Sequence, residues 1–309
     1  MTMHRKPETG VNRRDVVLLA GATAASAAAI GPAFAQAPGA PAPASATAEG
    51  KSTVVLERLP QGVLLIAIDR GEAQNRIDIP TFSALGQAYY TFEHDNDLRV
   101  AVLHGRGADF SQGLDVQSWG AALRNGPFQP PANFLDPLAT AGPERSKPLV
   151  VAVQGRVNRV AHELFLAADN RVAAQDTVFN QGEVTTASFP GGGATVRFVR
   201  EAGWGNAMRY MLTGEEWRAE DAYRMGLVQA VTQAGQQLDR ATEIARKIAA
   251  NAPLGVRATM ASARRALSEG ERIALLTLQP EFGRLLRSED RQEYVRSLQE
   301  RRAPAYLGR

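Results

Sequence analysis

The sequence contains no cysteine and only four histidines. Without thiols the chain has no disulfides, no thiolate metal site and no lipid attached through cysteine. The histidines, His4, His94, His104 and His162, are scattered along the chain. The stretch HELFL departs from the zinc motif H-E-x-x-H because Leu166 stands where the second histidine is needed. The sequence therefore predicts no metal site.

Motifs and charge for binding nucleotides or nucleic acids are also missing. No G-x-G-x-x-G follows a strand and no Walker motif occurs, so no cofactor is predicted. The net charge is only +3, and the predicted export signal at 1–35 carries two of those charges, from Arg5, Lys6, Arg13 and Arg14 against Glu8 and Asp15. The rest of the chain is nearly neutral, which gives nucleic-acid binding no electrostatic support.

The amino terminus has the three parts of an export signal. Arg13 and Arg14 precede the apolar run VVLLAGATAASAAAIG, and the segment closes on PAFA (32–35). The paired arginines favour the twin-arginine route over an ordinary secretory signal or an uncleaved anchor. We predict cleavage after Ala35 and a periplasmic location, with no membrane span in the mature chain.

Composition divides the remaining chain into three segments. Residues 36–51, QAPGAPAPASATAEGK, form a Pro/Ala-rich linker. Residues 52–250 hold the predicted core, and residues 251–309 form a helical C-terminal segment. The pattern becomes helical almost throughout from Gly191 onward.

Short apolar runs within the core predict buried strands. They lie at 100–105, 148–155 and 170–174, after two β-rich runs that flank a turn at Pro60. A helical pattern begins at Pro80, between the turn and the first of these runs. Strands that alternate with loops and helices predict an α/β fold with parallel strands, whose ligands usually bind at the carboxyl ends of the strands.

Five motifs then occur in an order typical of one family. They are ADFSQGLD (108–115), QGRVNRVAHELFLAAD (154–169), FNQGEVTTASFPGGGATVRFVR (179–200), MLTGEEWRAEDAYRMGLVQAV (211–231) and the C-terminal SEDRQEYVRSLQERRAPAYLGR. On these motifs the chain resembles the crotonase superfamily, the enoyl-CoA hydratase/isomerase fold, from about Thr53 to Arg309. The resemblance implies a crotonase-like spiral of ββα units with a helical C-terminal segment that covers the site and builds a homotrimer or hexamer.

The resemblance also implies the residues of the site. The backbone N–H groups of Gln112 and Val160 would form an oxyanion hole, and Glu163 and Glu183 would hold one water between them. Two carboxylates suit the addition or removal of water next to a carbonyl because one accepts a proton while the other donates. The implied protein is an enzyme, a lyase that acts on a small-molecule carbonyl or enoyl substrate, which in the family is an acyl-CoA.

Each of these side chains also has a structural interpretation. Glu163 could complement the dipole of the helix that begins beside it, and Glu183 could be an exposed loop residue. His162 could be a hydrogen-bonded core histidine or face the substrate. Trp119 and Phe128 could line the substrate pocket or only pack against their neighbours.

One segment departs from the family's pattern. Arg159-Val160-Ala161 replaces a run of glycines, and glycine at this place allows a positive φ and a close approach of substrate. Arg159 also adds a cation that could meet an acidic substrate. Gln112 and Arg76 are bulky where the family has small residues along the path expected for coenzyme A.

These departures and the export signal lead to the hypothesis of a substrate without coenzyme A, because that cofactor is cytoplasmic. Two alternatives stay open at this point. One is a carbon–carbon bond hydrolase acting on a β-diketone type of substrate. The other is a catalytically silent binding protein on the same fold.

Overall fold

A computed structural model describes residues 53–309, and the predicted export signal (1–35) and linker (36–51) lie outside the described residues. The strands of the described part are β1 (Val54–Leu59), β2 (Val63–Ile68), β3 (Val100–Gly105), β4 (Leu149–Val153), β5 (Arg156–Asn158), β6 (Asn170–Ala174), β7 (Val178–Asn180), β8 (Glu216–Arg218) and β9 (Ala230–Thr232). Its α-helices are α1 (Ile79–His94), α2 (Val116–Leu123), α3 (Val160–Leu166), α4 (Ala194–Ala202), α5 (Trp204–Thr213), α6 (Ala219–Arg224), α7 (Gln237–Ala249), α8 (Pro253–Glu269), α9 (Glu271–Leu286) and α10 (Glu289–Glu300).

Six strands form one sheet, in the order β1-β2-β3-β4-β6-β9. β1 and β2 pair antiparallel around the turn at Pro60, and every other pair of neighbours is parallel. β2, β3 and β4 are buried along their whole length. A parallel sheet that is covered on both faces has no solvent side, which explains why these strands read as continuous apolar runs in the sequence. The predicted parallel strands are confirmed.

A second sheet of three short strands carries the segments of the predicted site. β5 pairs in parallel with β7, and β7 pairs antiparallel with β8. A single bridge joins Ser111 to Val157 of β5, and another joins Ile77 to Leu114. The loop that contains Gln112 therefore lies beside the strand that leads into α3.

A pair of strands precedes a helix in two successive units of the chain. β4 and β5 precede α3, and β6 and β7 precede α4. This is the α/β arrangement of ββα units that the resemblance implies. The prediction of helix almost throughout after Gly191 is confirmed, and the two exceptions are the strands β8 and β9. Each of these strands has only three residues, too few to show an alternation of apolar and polar side chains.

The core has one layer on each side of the large sheet. On one side, α7 packs against the sheet through Ala241, Ala245 and Ala249, which recur every four residues and so share one face of the helix. On the other side the core holds five fully buried phenylalanines (Phe92, Phe110, Phe165, Phe179 and Phe198). Phe165 belongs to α3, and Phe179 and Phe198 contact His162 of the same helix, so the helix that carries Glu163 is enclosed in the larger core.

The C-terminal segment is helical, as predicted, and consists of α8, α9 and α10. Arg264 of α8 donates to Asp169 at 2.9 Å, and Asp169 also accepts from Arg145 at 2.8 Å. This cluster ties the segment to the end of α3. No helix within residues 53–309 is long and apolar enough to cross a membrane.

Candidate active site

Glu163 lies on α3, a helix whose seven residues are all buried. Its side chain is 3% exposed, and its Oε1 accepts hydrogen bonds from the backbone N–H of Gly192 at 2.7 Å and of Ala194 at 3.2 Å. No described residue donates to its other oxygen, Oε2. A buried carboxylate that is held at one oxygen and free at the other is not a residue that merely complements a helix dipole at the surface.

Glu183 follows β7 at the start of a short 3-10 turn, Glu183–Thr186. Its side chain is 9% exposed, so the interpretation as an exposed loop residue is wrong. Its Oε1 accepts from Nε2 of Gln181 at 2.8 Å, whereas Oε2 is buried and has no hydrogen-bond partner among the described residues. Like Glu163, Glu183 is held at one oxygen and free at the other.

Burial and the charge of Glu183 both change the pKa of Glu163. Burial raises the pKa of Glu163 to about 7, and the negative charge of Glu183 adds to this increase, while the N–H groups of Ala194 and Gly192 oppose it. Burial also raises the pKa of Glu183, against the opposing effects of its hydrogen bonds and of the Arg159 charge. Because two nearby negative charges repel, the charge of Glu183 favours the protonated form of Glu163.

Gly192 leaves room for the carboxylate of Glu163. A Cβ atom at this position would lie 2.5 Å from Oε2 of Glu163 and 3.1 Å from Leu138. Gly193, which follows, precedes α4 with a φ of 107°. The run of glycines therefore forms a tight helix entry, and it also supplies a hydrogen bond to Glu163 that the sequence reasoning missed.

Val160 is the first residue of α3, and no described residue accepts a hydrogen bond from its backbone N–H. Its φ is not positive. The N–H group therefore has no partner among the described residues, and its role in an oxyanion hole stays a prediction.

The N–H of Gln112, the other predicted donor, has a partner in this structure. It donates to the backbone oxygen of Gln74 at 3.1 Å. The side chain of Gln112 is also engaged, since it donates to Asp109 at 3.1 Å and accepts from Asn158 at 2.8 Å. This N–H would have to leave the oxygen of Gln74 before it could receive a substrate oxygen.

Arg159 has a backbone conformation that glycine would adopt without strain. Its φ and ψ are 53° and −115°, a combination that residues other than glycine rarely adopt. The side chain is half-buried and makes no hydrogen bond or ion pair with the described residues. Its Cβ lies 3.7 Å from where a Cβ of Gly113 would stand, so Arg159 begins beside the loop of Gln112.

His162 is a buried core residue with one hydrogen bond. It is fully inaccessible to solvent, and its Nδ1 lies 2.5 Å from Oε1 of Gln181. Burial lowers the pKa of His162 to about 3, so the ring is neutral at ordinary pH. Gln181 thus contacts both His162 and Glu183, although sequence reasoning gave it no role. Its position two residues before Glu183 was the available signal.

Trp119 and Phe128 belong to an aromatic cluster with Phe82 and Phe134, with ring centroids 5.5 to 5.9 Å apart. The Trp119 indole donates to the backbone oxygen of Ile77 at 2.9 Å. Both rings line a cavity of about 280 Å³, but neither glutamate lines it. These rings pack against each other, and the cavity that they line does not reach the carboxylate pair. Within residues 53–309 no three metal-binding side chains are grouped.

Similarity to known proteins identifies the family of the chain. A family model described as enoyl-CoA hydratase/isomerase matches residues 58–309. The chain belongs to the enoyl-CoA hydratase/isomerase family. It is similar to the enoyl-CoA hydratase EchA19 of Mycobacterium tuberculosis, with 31% identity over 85% of this chain and 100% of the relative. It is also similar to the (E)-benzylidenesuccinyl-CoA hydratase of Thauera aromatica, with 33% identity over 80% of this chain and 96% of the relative.

A solved structure extends this agreement to the fold of the family. The crystal structure of a probable enoyl-CoA hydratase/isomerase from Mycobacterium abscessus superposes with a TM-score of 0.80 and 40% identity, and the match covers 83% of this chain and 99% of the other. These similarities support an enzyme of the hydratase kind. They do not favour the alternatives of a β-diketone hydrolase or a silent binding protein.

Proposed function

We propose that the protein adds water to, or removes it from, an α,β-unsaturated carbonyl compound, with Glu163 and Glu183 as the pair that transfers protons. The observation that carries the proposal is the matched state of the two side chains. Both are buried, both are held at Oε1, and both have a free Oε2. Two such oxygens provide the acceptor and the donor that water addition requires.

In the hydration direction, the oxygen of water forms a bond to the β-carbon while one carboxylate takes the proton that water loses. The electron pair of the double bond moves toward the carbonyl, and the other carboxyl group gives a proton to the α-carbon. The free N–H of Val160 faces the charge that develops on the carbonyl oxygen, an interaction worth about 3 kcal/mol in comparable sites. The pKa of about 7 favours Glu163 as the protonated member of the pair.

Hydration of crotonyl-CoA by the purified protein, followed through the loss of enoyl-thioester absorbance, tests the proposal. We expect Glu163→Gln and Glu183→Gln each to lower kcat by about 10²- to 10⁴-fold, because each removes one proton-transfer group. Glu220→Gln is the matched control, since Glu220 is exposed on α6. If the wild-type protein turns over a substrate and neither glutamate variant slows it, the two-carboxylate mechanism is wrong.

A second proposal concerns the form of the substrate, which we infer to be free of coenzyme A. Two contacts favour it. The N–H of Gln112 is bonded to Gln74, and the Cβ of Arg159, which stands in place of the family's glycine run, lies 3.7 Å from where a Cβ of Gly113 would stand. Turnover of enones without coenzyme A should then exceed turnover of crotonyl-CoA. Efficient hydration of crotonyl-CoA, together with tight binding of coenzyme A, would overturn this second proposal and support the first.

A further inference from the structure

His162 occupies an aromatic enclosure behind the site. Its ring stacks on Phe165 at 5.6 Å between centroids and meets the rings of Phe179, Phe198 and Trp217 edge-on at 5.1 to 5.9 Å. Its Nε2 atom is buried and has no hydrogen-bond partner among the described residues. The polar function of this side chain therefore depends on Nδ1 alone.

Through Nδ1, His162 connects to the carboxylate pair by two hydrogen bonds. Nδ1 contacts Oε1 of Gln181 at 2.5 Å, and Nε2 of Gln181 donates to Oε1 of Glu183 at 2.8 Å. Gln181 is itself fully buried. The three side chains form a continuous chain that ends at the free Oε2 of Glu183.

Hydrogen-bond logic fixes the direction of this chain. An ionised carboxylate can only accept, so the amide nitrogen of Gln181 must face Glu183 and the amide oxygen must face His162. An amide oxygen also only accepts, so His162 must carry its proton on Nδ1. The opposite histidine tautomer would leave an N–H buried without a partner at Nε2 and would set two acceptors against each other at Nδ1.

We propose that His162 is a positioning residue, which acts through Gln181 to keep the amide N–H directed at Glu183 and so to hold Glu183 in its ionised form. The proposal rests on the proposed function, because it assigns a role within the same carboxylate pair. Without the donor on Nδ1, the amide of Gln181 is free to turn and present its oxygen to Glu183. That orientation favours a protonated Glu183.

The charges around the chain do not replace this contact. Arg171 faces His162 and disfavours a charged ring, which keeps His162 neutral. The charge of Arg159 favours the ionised form of Glu183, whereas the charge of Glu183 disfavours ionisation of Glu163. A change at His162 that leaves Arg159 and Glu163 in place therefore isolates the effect of Gln181.

Two variants of nearly equal shape separate the hydrogen bond from packing. His162→Leu removes the donor, whereas His162→Asn keeps an amide donor close to the place of Nδ1. With crotonyl-CoA or a CoA-free enone as the probe, whichever the wild-type protein turns over faster, we expect His162→Leu to move the acidic limb of the kcat/KM pH profile upward by about one pH unit and to lower kcat about tenfold, with KM little changed. His162→Asn should restore most of the wild-type profile.

A double-variant cycle tests whether His162 acts through Gln181. Gln181→Leu should shift the pH profile in the same direction as His162→Leu, and combining the two should add little. Equal shifts for His162→Leu and His162→Asn, no shift for either, or additive effects with Gln181→Leu would each overturn the proposal.

Two NMR measurements need neither a substrate nor a variant enzyme that turns over. The ring nitrogens of His162 in the wild-type protein, assigned by comparison with His162→Asn, should show the Nδ1–H tautomer without titration between pH 5 and 9. An Nε2–H tautomer or a protonated ring would overturn the proposal. The side-chain carboxyl carbon of Glu183, assigned with Glu183→Gln, should titrate at higher pH in His162→Leu than in the wild type. If no enoyl compound is turned over, the proposed function fails, and these measurements still decide the role of His162.

Discussion

At Gly192, a backbone N–H group and the absence of a Cβ atom together fix the position of the Glu163 carboxylate. Its N–H holds Oε1 of Glu163, and the missing Cβ leaves space for Oε2 of the same carboxylate. One residue thus both anchors Glu163 and leaves its second oxygen accessible. Any side chain at this position must displace the group that the proposed reaction needs.

Gly192→Ala should therefore impair activity more than folding. The added Cβ would meet Oε2 of Glu163 at 2.5 Å, so the carboxylate must turn, and we expect kcat to fall by about 10²-fold. Gly191→Ala is the control, because a Cβ at Gly191 meets nothing within 4 Å. Steady-state kinetics and thermal unfolding of both variants test this. Similar activity of the two variants would show that the space beside Glu163 is not required.

Glu163 should also make the stability of the protein depend on pH. Its pKa is about 7 in the folded chain against an ordinary value of 4.5, so between these values the folded state binds more protons than the unfolded state. The free energy of unfolding then falls as pH rises from 4.5 to 7, by up to about 3 kcal/mol from this residue. In Glu163→Gln this fall should be absent. Urea unfolding at pH 5 and pH 8 measures the difference, and parallel curves for wild type and variant would refute it.

At the scale of elements, the beginning of α3 combines strain with function. Arg159 holds a φ of 53°, and the helix that starts at the next residue places the free N–H of Val160 three positions before Glu163. A backbone conformation of this kind costs about 1–3 kcal/mol in residues other than glycine. The packing of α3 among the core aromatics maintains the conformation against that cost.

Arg159→Gly and Arg159→Ala separate this strain from the charge of the side chain. Both remove the guanidinium group, but only glycine adopts the observed φ and ψ without strain. We expect Arg159→Gly to be more stable than Arg159→Ala by about 1 kcal/mol in urea unfolding, after the larger entropy of glycine in the unfolded chain is subtracted. Equal stabilities would mean that the start of α3 is not strained.

At the scale of the whole molecule, apolar side chains remain on the surface of the C-terminal segment. Those on α9 are Ile273, Leu275, Leu276, Leu278, Phe282 and Leu286. A second exposed apolar group lies on α4, α5 and α6 and consists of Val196, Trp204, Leu212 and Tyr223. Large apolar surfaces of this kind are typical of contacts between subunits. We propose that the chain forms a homotrimer or hexamer through these helices.

Sedimentation velocity tests this assembly. Leu276→Glu places a charge at the most exposed apolar side chain of α9 and should shift the protein toward monomers. Gln279→Glu adds the same charge at an exposed polar position of the same helix and should leave the assembly intact. A wild-type protein that sediments as a monomer would refute the proposal.

The location of the whole molecule in the cell also stays a proposal. We propose export to the periplasm by the twin-arginine route, on the strength of Arg13, Arg14 and the apolar run that follows them. Arg13→Lys combined with Arg14→Lys should leave the chain uncleaved in the cytoplasm. Cell fractionation followed by N-terminal sequencing checks this, and a wild-type chain that is retained in the cytoplasm would contradict it.

The sequence by itself determined the buried strands β2, β3, β4 and β6 and the α/β fold, and it singled out Glu163 and Glu183 as candidates. A continuous apolar run such as VAVLHG is typical of a strand in a sheet that is covered on both faces. Such a run can be recognised from a few neighbouring residues alone. Glu163 and Glu183 were recognised because the surrounding motifs follow the order of the family. Burial and hydrogen bonds then separated them from the surface roles that each could have had alone.

Only the tertiary structure decided which groups form the hydrogen bonds of the candidate site. The N–H that holds Glu163 comes from Gly192, the amide that holds Glu183 is itself held by His162, and the N–H of Gln112 is bonded to Gln74. Each of these contacts except that of Gln181 with Glu183 joins residues far apart in the chain, so no local pattern encodes it. Hydrogen bonds of buried polar groups are set by which segments the fold brings together, and that choice belongs to packing of the entire core.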